Sequence, residues 1–296
     1  MFRAFVSAGV CLIAVVALAC VGGTSRQAAG AALNEDWLRS DEKRIAQVRD
    51  ALGRAELTVE LLREIAGSSD VREDRAIGFG ARRVRLSLYG GYTTIWVVIL
   101  AEEPDEAGRS RVAALAFEQR GSPETWAAVA PRLREAWKGF PATGALGEHD
   151  GWLAYERRDA DRIAELRART EAALGTVPAT EVPSELAPAF ELLTSPYEQL
   201  VIGRNCSYTG APPPGAVEIR AIVAAGRFDL VRLVLRGPNP EGRVWAAHAL
   251  LERGALDDAD RRAIETLRAL PLEIECCDGC EFEHASFDAA LKHAAK

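Results

Sequence analysis

RRVRLSLYGGYTTIWVVILAEE, residues 82–103, changes the period of the chain and so decides its fold. Before it, apolar residues recur at helical spacing. Within it, Val84, Leu86 and Leu88 alternate with polar neighbours, Gly90-Gly91 interrupts, and a β-rich run returns through Ile95, Val97 and Ile99. Alternation puts one set of side chains on each face of a strand, and two such runs about a Gly-Gly pair predict a β-hairpin. A sheet with one apolar face needs a covering layer, and the flanking sequence supplies helices.

Upstream, Trp37, Leu38, Ile45, Val48 and Leu52 recur at near-helical spacing behind Asn34 or Asp36 as cap. LTVELLREIAG (57–67) makes a second, shorter helix that ends at Gly67. Downstream, the polar loop PDEAGR (104–109) leads to a third strand, SRVAALAFEQR (110–120). Ser122, Pro123 and Glu124 are concordant start signals for a helix in SPETWAAVAPRLREAW (122–137). GWLAYERR (151–158) reads as a fourth strand, and DADRIAELRARTEAALG (159–175) as a helix capped by Asp159 or Asp161. Residues 34–175 are therefore expected to form an α+β domain, an antiparallel sheet with helices on one face.

TVPATEVPSE (176–185) has two prolines and no periodicity, and marks a boundary. Residues 185–296 are expected to be an all-α domain of short helical hairpins with a cysteine-rich C-terminal segment. AVEIRAIVAAG closes at Gly226, FDLVRLVLRG is capped by Asp229, and Asn239-Pro240 opens another helix. Asp257 or Asp258 caps the next, which Pro271 ends. NPEGRVWAAHALLERG (239–254) resembles the HEAT-type repeat, with Arg243 ahead of Ala246, Ala247, Ala249 and Leu250. The resemblance implies HEAT/armadillo-like stacking, in which small residues let helices approach and the arginine makes contacts within or between repeats. It covers residues 239–254 alone and does not recur.

The N-terminus addresses the compartment. Arg3 precedes an apolar run from Val6 to Ala19, of signal-peptide length and short of the roughly 20 residues of a membrane span. Ala17-Leu18-Ala19 has the small-x-small pattern of a cleavage site, and with Cys20 it resembles the lipobox of bacterial lipoproteins, although Ala17 stands where leucine is commonest. Residues 1–19 are thus expected to be a signal peptide and 20–33 a flexible tether spanning ~20 Å. The product is periplasmic, membrane-anchored through a lipid on Cys20, or secreted. The formal charge of −7 argues against a nucleic-acid partner. Only four of the 36 basic residues are lysine, which together with the alanine richness reads as compositional bias.

ECCDGC (275–280) allows three readings. A zinc site would use Cys277, Cys280 and His284, with Cys206 or Cys276 as fourth ligand. A redox dithiol would use Cys277 and Cys280, but Glu273, Glu275, Asp278, Glu281 and Glu283 would raise a thiol pKa. In an oxidising compartment Cys206, Cys276, Cys277 and Cys280 instead pair as disulfides, one of the adjacent cysteines reaching back to Cys206. That reading is preferred, with no cofactor, zinc being the alternative.

A P-loop, a G-x-G-x-x-G and an H-E-x-x-H are all lacking, and Ser207-Tyr208 has no G-x-S-x-G context. His149-Asp150 reads as a surface turn, His248 as a packing residue and His293 as a helix end. Tyr89, Tyr92 and Trp96 near the Gly-Gly turn form either ordinary sheet packing or a partner-binding face. The expectation is an exported, non-catalytic binding or scaffolding module with a protein partner, the alternative being a metalloprotein or enzyme with zinc near residues 276–284.

Overall fold

The computed structural model describes residues 33–295 apart from 55, 68–69, 141–144, 150–151, 204–205, 207–209 and 280. The signal peptide, nearly all of the tether, Cys20, Asp150 and Cys280 lie outside the described residues. The fold is α+β, with two compact units. The described part of one unit comprises residues 33–74 and 83–160; the other comprises 75–82 and 161–295.

The first unit is built on helices α1 (Glu35–Leu52), α2 (Val59–Ala66) and α3 (Pro123–Trp137). Six strands, β1 (Val71–Gly78), β2 (Ala81–Tyr89), β3 (Thr94–Glu102), β4 (Val112–Arg120), β5 (Ala145–His149) and β6 (Trp152–Arg158), form one antiparallel sheet in the order β1-β2-β3-β4-β6-β5, of which residues 75–82, the end of β1 and the start of β2, group with the second unit. The alternation at 84, 86 and 88 and at 95, 97 and 99 selects the face on which these helices pack, through Ile45, Leu62, Val129 and Leu133. Asn34 Oδ1 and Ser122 Oγ accept from the first-turn amides of α1 and α3, as expected.

Two strands exceed the expected four. Strand β1 is written VREDRAIG, too charged to read as a strand. Its charge finds partners locally: Arg83 Nε donates to Glu73 at 2.7 Å and Arg72 Nε to Ser87 Oγ at 3.2 Å. Strand β5 contains Gly147 and Ala145, poor strand formers, and lies at the sheet edge where pairing with β6 suffices. His149 therefore ends a strand, paired with Trp152, instead of sitting within a turn.

The Gly90-Gly91 turn is correct for a different reason from the one the hairpin rule supplies. Neither glycine has a positive φ. Both are needed for space: a Cβ on Gly90 would lie 2.0 Å from Asp41 Oδ1, and one on Gly91 2.2 Å from the Trp37 carbonyl oxygen. Helix α1 thus lies directly against the turn, and Asp41, 1% exposed, holds it. Its Oδ1 accepts from the amides of Gly91 (3.1 Å) and Thr93 (3.1 Å) and from Thr93 Oγ1 (2.7 Å), and its Oδ2 from the Tyr92 amide (2.9 Å). Gln119 Nε2 donates to Thr93 Oγ1, and Trp137 Nε1 to Gln119 Oε1, each at 2.8 Å. A buried polar chain thereby links α1, the turn, β4 and α3.

The second unit holds α4 (Ala160–Leu174), α5 (Ala187–Thr194), α6 (Ala216–Ala224), α7 (Phe228–Leu235), α8 (Pro240–Glu252) and α9 (Asp258–Arg268), then β7 (Ile274–Asp278), β8 (Glu281–Ala285) and α10 (Phe287–Ala295). The expected division into 34–175 and 185–296 shifts accordingly. Helix α4 groups with the second unit because Leu174 joins its core and Arg236 Nε donates to the Leu174 carbonyl at 3.1 Å. The linker is tethered as well: Arg227 donates to the Glu181 carbonyl at 2.8 Å, and Thr180 Oγ1 to Asp229 at 2.8 Å. Asp229 is thus engaged by Arg227 and Thr180 instead of capping α7, and that pairing holds its carboxyl below the usual range.

Helix α8 is central, with α5, α6, α7 and α10 around it. Residues 240–247 are all buried, which explains why it shows no amphipathic stripe. Two of those residues are charged. Glu241 pairs with Arg75, which also donates to the Glu273 carbonyl. Arg243 donates to the carbonyls of Gly237 and Ile77, both at 2.7 Å, and its guanidinium lies 5.0 Å from the Phe79 ring centroid. Phe79 has φ 59°, and with Gly80 (φ 75°) it forms the tip of the β1–β2 hairpin. A non-glycine residue there costs on the order of 1 kcal/mol, and the cation–π contact offsets it.

The arginine excess, read from sequence as bias, has a structural use. Helix ends leave carbonyls without intrahelical partners. Arginines from elsewhere in the chain donate to them: Arg157 to Leu52 at the end of α1, Arg44 to Ile65 in α2, Arg49 to Ala136 in α3 and Arg236 to Leu174 in α4. The planar fork reaches such carbonyls while offering further donors, which an ammonium does less well.

Candidate functional site

Of the residues singled out by sequence, Cys206, Cys276, Cys277 and His284 come together at the β7–β8 hairpin. Strand β7 is held from the side opposite β8 by Ile202 and Cys206. The Ile202 amide donates to the Glu275 carbonyl and the Cys277 amide to the Ile202 carbonyl, both at 2.9 Å. Parallel bridges join Ile202 to Cys276 and Cys206 to Gly279. Gln199 Nε2 adds a bond to Glu275 at 2.7 Å. Gly203 lets the two segments approach, since a Cβ there would lie 2.5 Å from both the carbonyl oxygen and the Sγ of Cys277.

Across this seam Cys206 and Cys277 form a disulfide, Cα to Cα 5.6 Å, closing a separation of 71 residues. One of the adjacent cysteines reaches back to Cys206, as expected. Strand parity decides which one: Cys277 points toward Gly203, whereas Cys276 points the other way into the core with Phe287 and Ala290. Cys276 is a free thiol with no exposed surface. Burial pushes its pKa up to about 12, and Glu283, Glu241 and Glu275 add to the shift. A neutral buried thiol is a poor nucleophile and ligand. At pH 8 its alkylation by iodoacetamide is expected to be about three orders of magnitude slower than that of an exposed cysteine. Peptide mapping after timed labelling would show this, and rapid native labelling at Cys276 would contradict it.

The zinc reading is affected by the same geometry. Two of its ligands, Cys206 and Cys277, are bonded to each other, and His284 is exposed on β8, paired with Glu275. Among the described residues no group of three or more histidine, cysteine or carboxylate side chains is disposed around a common point. The other histidines do not assemble a site. His248 is half-buried in α8, and desolvation lowers its pKa against a small opposing effect of Glu252. His293 Nε2 lies 3.0 Å from Glu283.

Near the Gly-Gly turn the aromatics divide. Tyr92 is packing: its ring meets Trp37 edge-on at 5.1 Å, and its hydroxyl accepts from the Asn34 amide at 2.6 Å. Tyr89 and Trp96 stay exposed, with the Arg72 guanidinium 5.7 Å from the Tyr89 ring centroid.

The feature missed from sequence is β8 itself. EFEHA alternates, but five residues with two glutamates are too short and too charged to stand out from a loop. Its pairing with β7, through Cys277↔Phe282 and Cys276↔Glu283, leaves Phe282 58% exposed beside the disulfide-bearing strand. Compared with known protein families, curated proteins and solved structures, the chain matches none.

Proposed function

We propose that this chain is an exported, non-catalytic binding or scaffolding module of the cell envelope, either lipid-anchored through Cys20 or released, with the disulfide-braced β7–β8 hairpin as its presenting surface. The observation that carries the reading is the Cys206–Cys277 disulfide, since structural disulfides persist in oxidising compartments. The signal-peptide-like N-terminus agrees with it. No helix among the described residues is long and apolar enough to cross a membrane. The HEAT-like reading of the helical unit belongs to the same proposal. It draws support from the burial of Arg243, Ala246, Ala247, Ala249 and Leu250, and from the contacts Arg243 makes beyond its own helix.

Intact mass of the protein from its native envelope fraction, with and without reduction and alkylation and with metal content, tests this directly. The expected result is an oxidised Cys206–Cys277 pair, no stoichiometric zinc and a chain beginning at or near Cys20. Reduced Cys206 and Cys277 with one zinc per chain would replace it with the metalloprotein reading, beginning at Cys277, Cys280 and His284.

A further inference from the structure

Among the described residues strand β8 pairs only with β7, and its outer edge makes no backbone hydrogen bond to any of them. Residues 281–284 are exposed on both faces of the hairpin. The register puts Glu281 and Glu283 on one face and Phe282 and His284 on the other. Behind this edge β7 is immobilised by the disulfide, by the bonds to Ile202 and by α10. An open edge on a rigid strand is a template for an added strand, because its amides and carbonyls already point outward and little ordering remains to be done.

Charge selects the occupant. With faces matched and the strands well overlapped, a second copy of β8 would set Glu281 or Glu283 against a glutamate, and directly opposed like charges destabilise a pair. The whole chain is acidic as well, at −7. Glu283 also meets His293 at 3.0 Å yet stays largely exposed. We propose that the β8 edge binds an extended segment of a partner protein in which lysine or arginine alternates with apolar residues. The basic side chains lie opposite Glu281 and Glu283, and an apolar one lies opposite Phe282. This rests on reading the hairpin as the surface of a binding module.

The test uses the envelope-purified protein and a short, blocked, fluorescein-labelled peptide alternating lysine and valine, read by anisotropy, with amide exchange followed at residues 281–285. Binding that weakens with salt and protects amides of β8 is expected. N-methylation along one edge of the peptide should weaken it by about tenfold or more, since it removes backbone donors and leaves the charge unchanged. The variant E281K/E283K, altered only at exposed positions, should lose the lysine peptide and take up one alternating glutamate and valine. Absence of binding, equal binding of the N-methylated peptide, or protection elsewhere would overturn the proposal. Intact mass of the same sample separates the two readings. An oxidised, zinc-free protein that ignores the peptide refutes the edge alone. A reduced, zinc-loaded one refutes the function proposed above, whatever the titration shows.

Discussion

Asp41→Ala is expected to lower the stability of the sheet-bearing unit by about 3–5 kcal/mol. Four donors converge on this carboxylate: the amides of Gly91, Tyr92 and Thr93, and Thr93 Oγ1. The site is closed to water, with Asp41 1% and Thr93 5% exposed, so donors stripped of their acceptor regain little from solvent. The loss propagates, because Thr93 Oγ1 is the acceptor for Gln119, which in turn accepts from Trp137. Asp41→Asn separates geometry from charge. A carbonyl at the Oδ1 position keeps three of the four bonds but sets an NH2 against the Tyr92 amide, so about half of the loss should remain. Denaturant unfolding followed by tryptophan emission measures both. A loss below 1 kcal/mol for Asp41→Ala would mean that the turn holds without its anchor.

Removal of the disulfide by the double substitution Cys206→Ser/Cys277→Ser is expected to cost the C-terminal unit about 4 kcal/mol. In the chain-entropy view a link across 71 residues removes that much freedom from the unfolded chain. Replacing both cysteines leaves no new thiol to exchange with Cys276, whose own environment is unchanged because it faces the opposite side of β7. The bonds between Ile202 and β7 persist in the folded variant, so its far-ultraviolet dichroism should match the parent while its unfolding midpoint falls. A variant as stable as the parent would show that the unfolded chain is already compact around this seam.

The arrangement of the cysteines shows how far local reasoning reaches. An expected oxidising compartment and the spacing lead to a bond back to Cys206, because a signal-peptide-like N-terminus and an adjacent cysteine pair are features of the linear chain. The choice of Cys277 over Cys276 depends on which face of β7 meets Phe287 and Ala290, and that is set by α10. The Gly90-Gly91 turn has the same character. The pair is visible in the sequence, but the demand for glycine comes from Asp41 and Trp37, roughly fifty residues upstream. The candidate surface at β8 left no usable signal, since an edge is defined by the strand that is not beside it.

The sequence by itself determined the helix caps at Ser122 and Asn239, narrowed those of α1 and α9 to Asn34 or Asp36 and to Asp257 or Asp258, and determined the facing of β2 and β3 and the α+β class. These follow from bonds spanning two to four residues and from the period of the backbone, which any stretch of chain carries with it. Tertiary structure alone decided the rest: the burial of Glu241 and Arg243, the two added sheet strands, the placing of α4 with the second unit and the use of arginines to close distant helices. Arg157 reaches Leu52 across 105 positions and Arg243 reaches Ile77 across 166. A flexible, many-donor side chain is compatible with countless carbonyls, and only the packed chain brings one of them within reach.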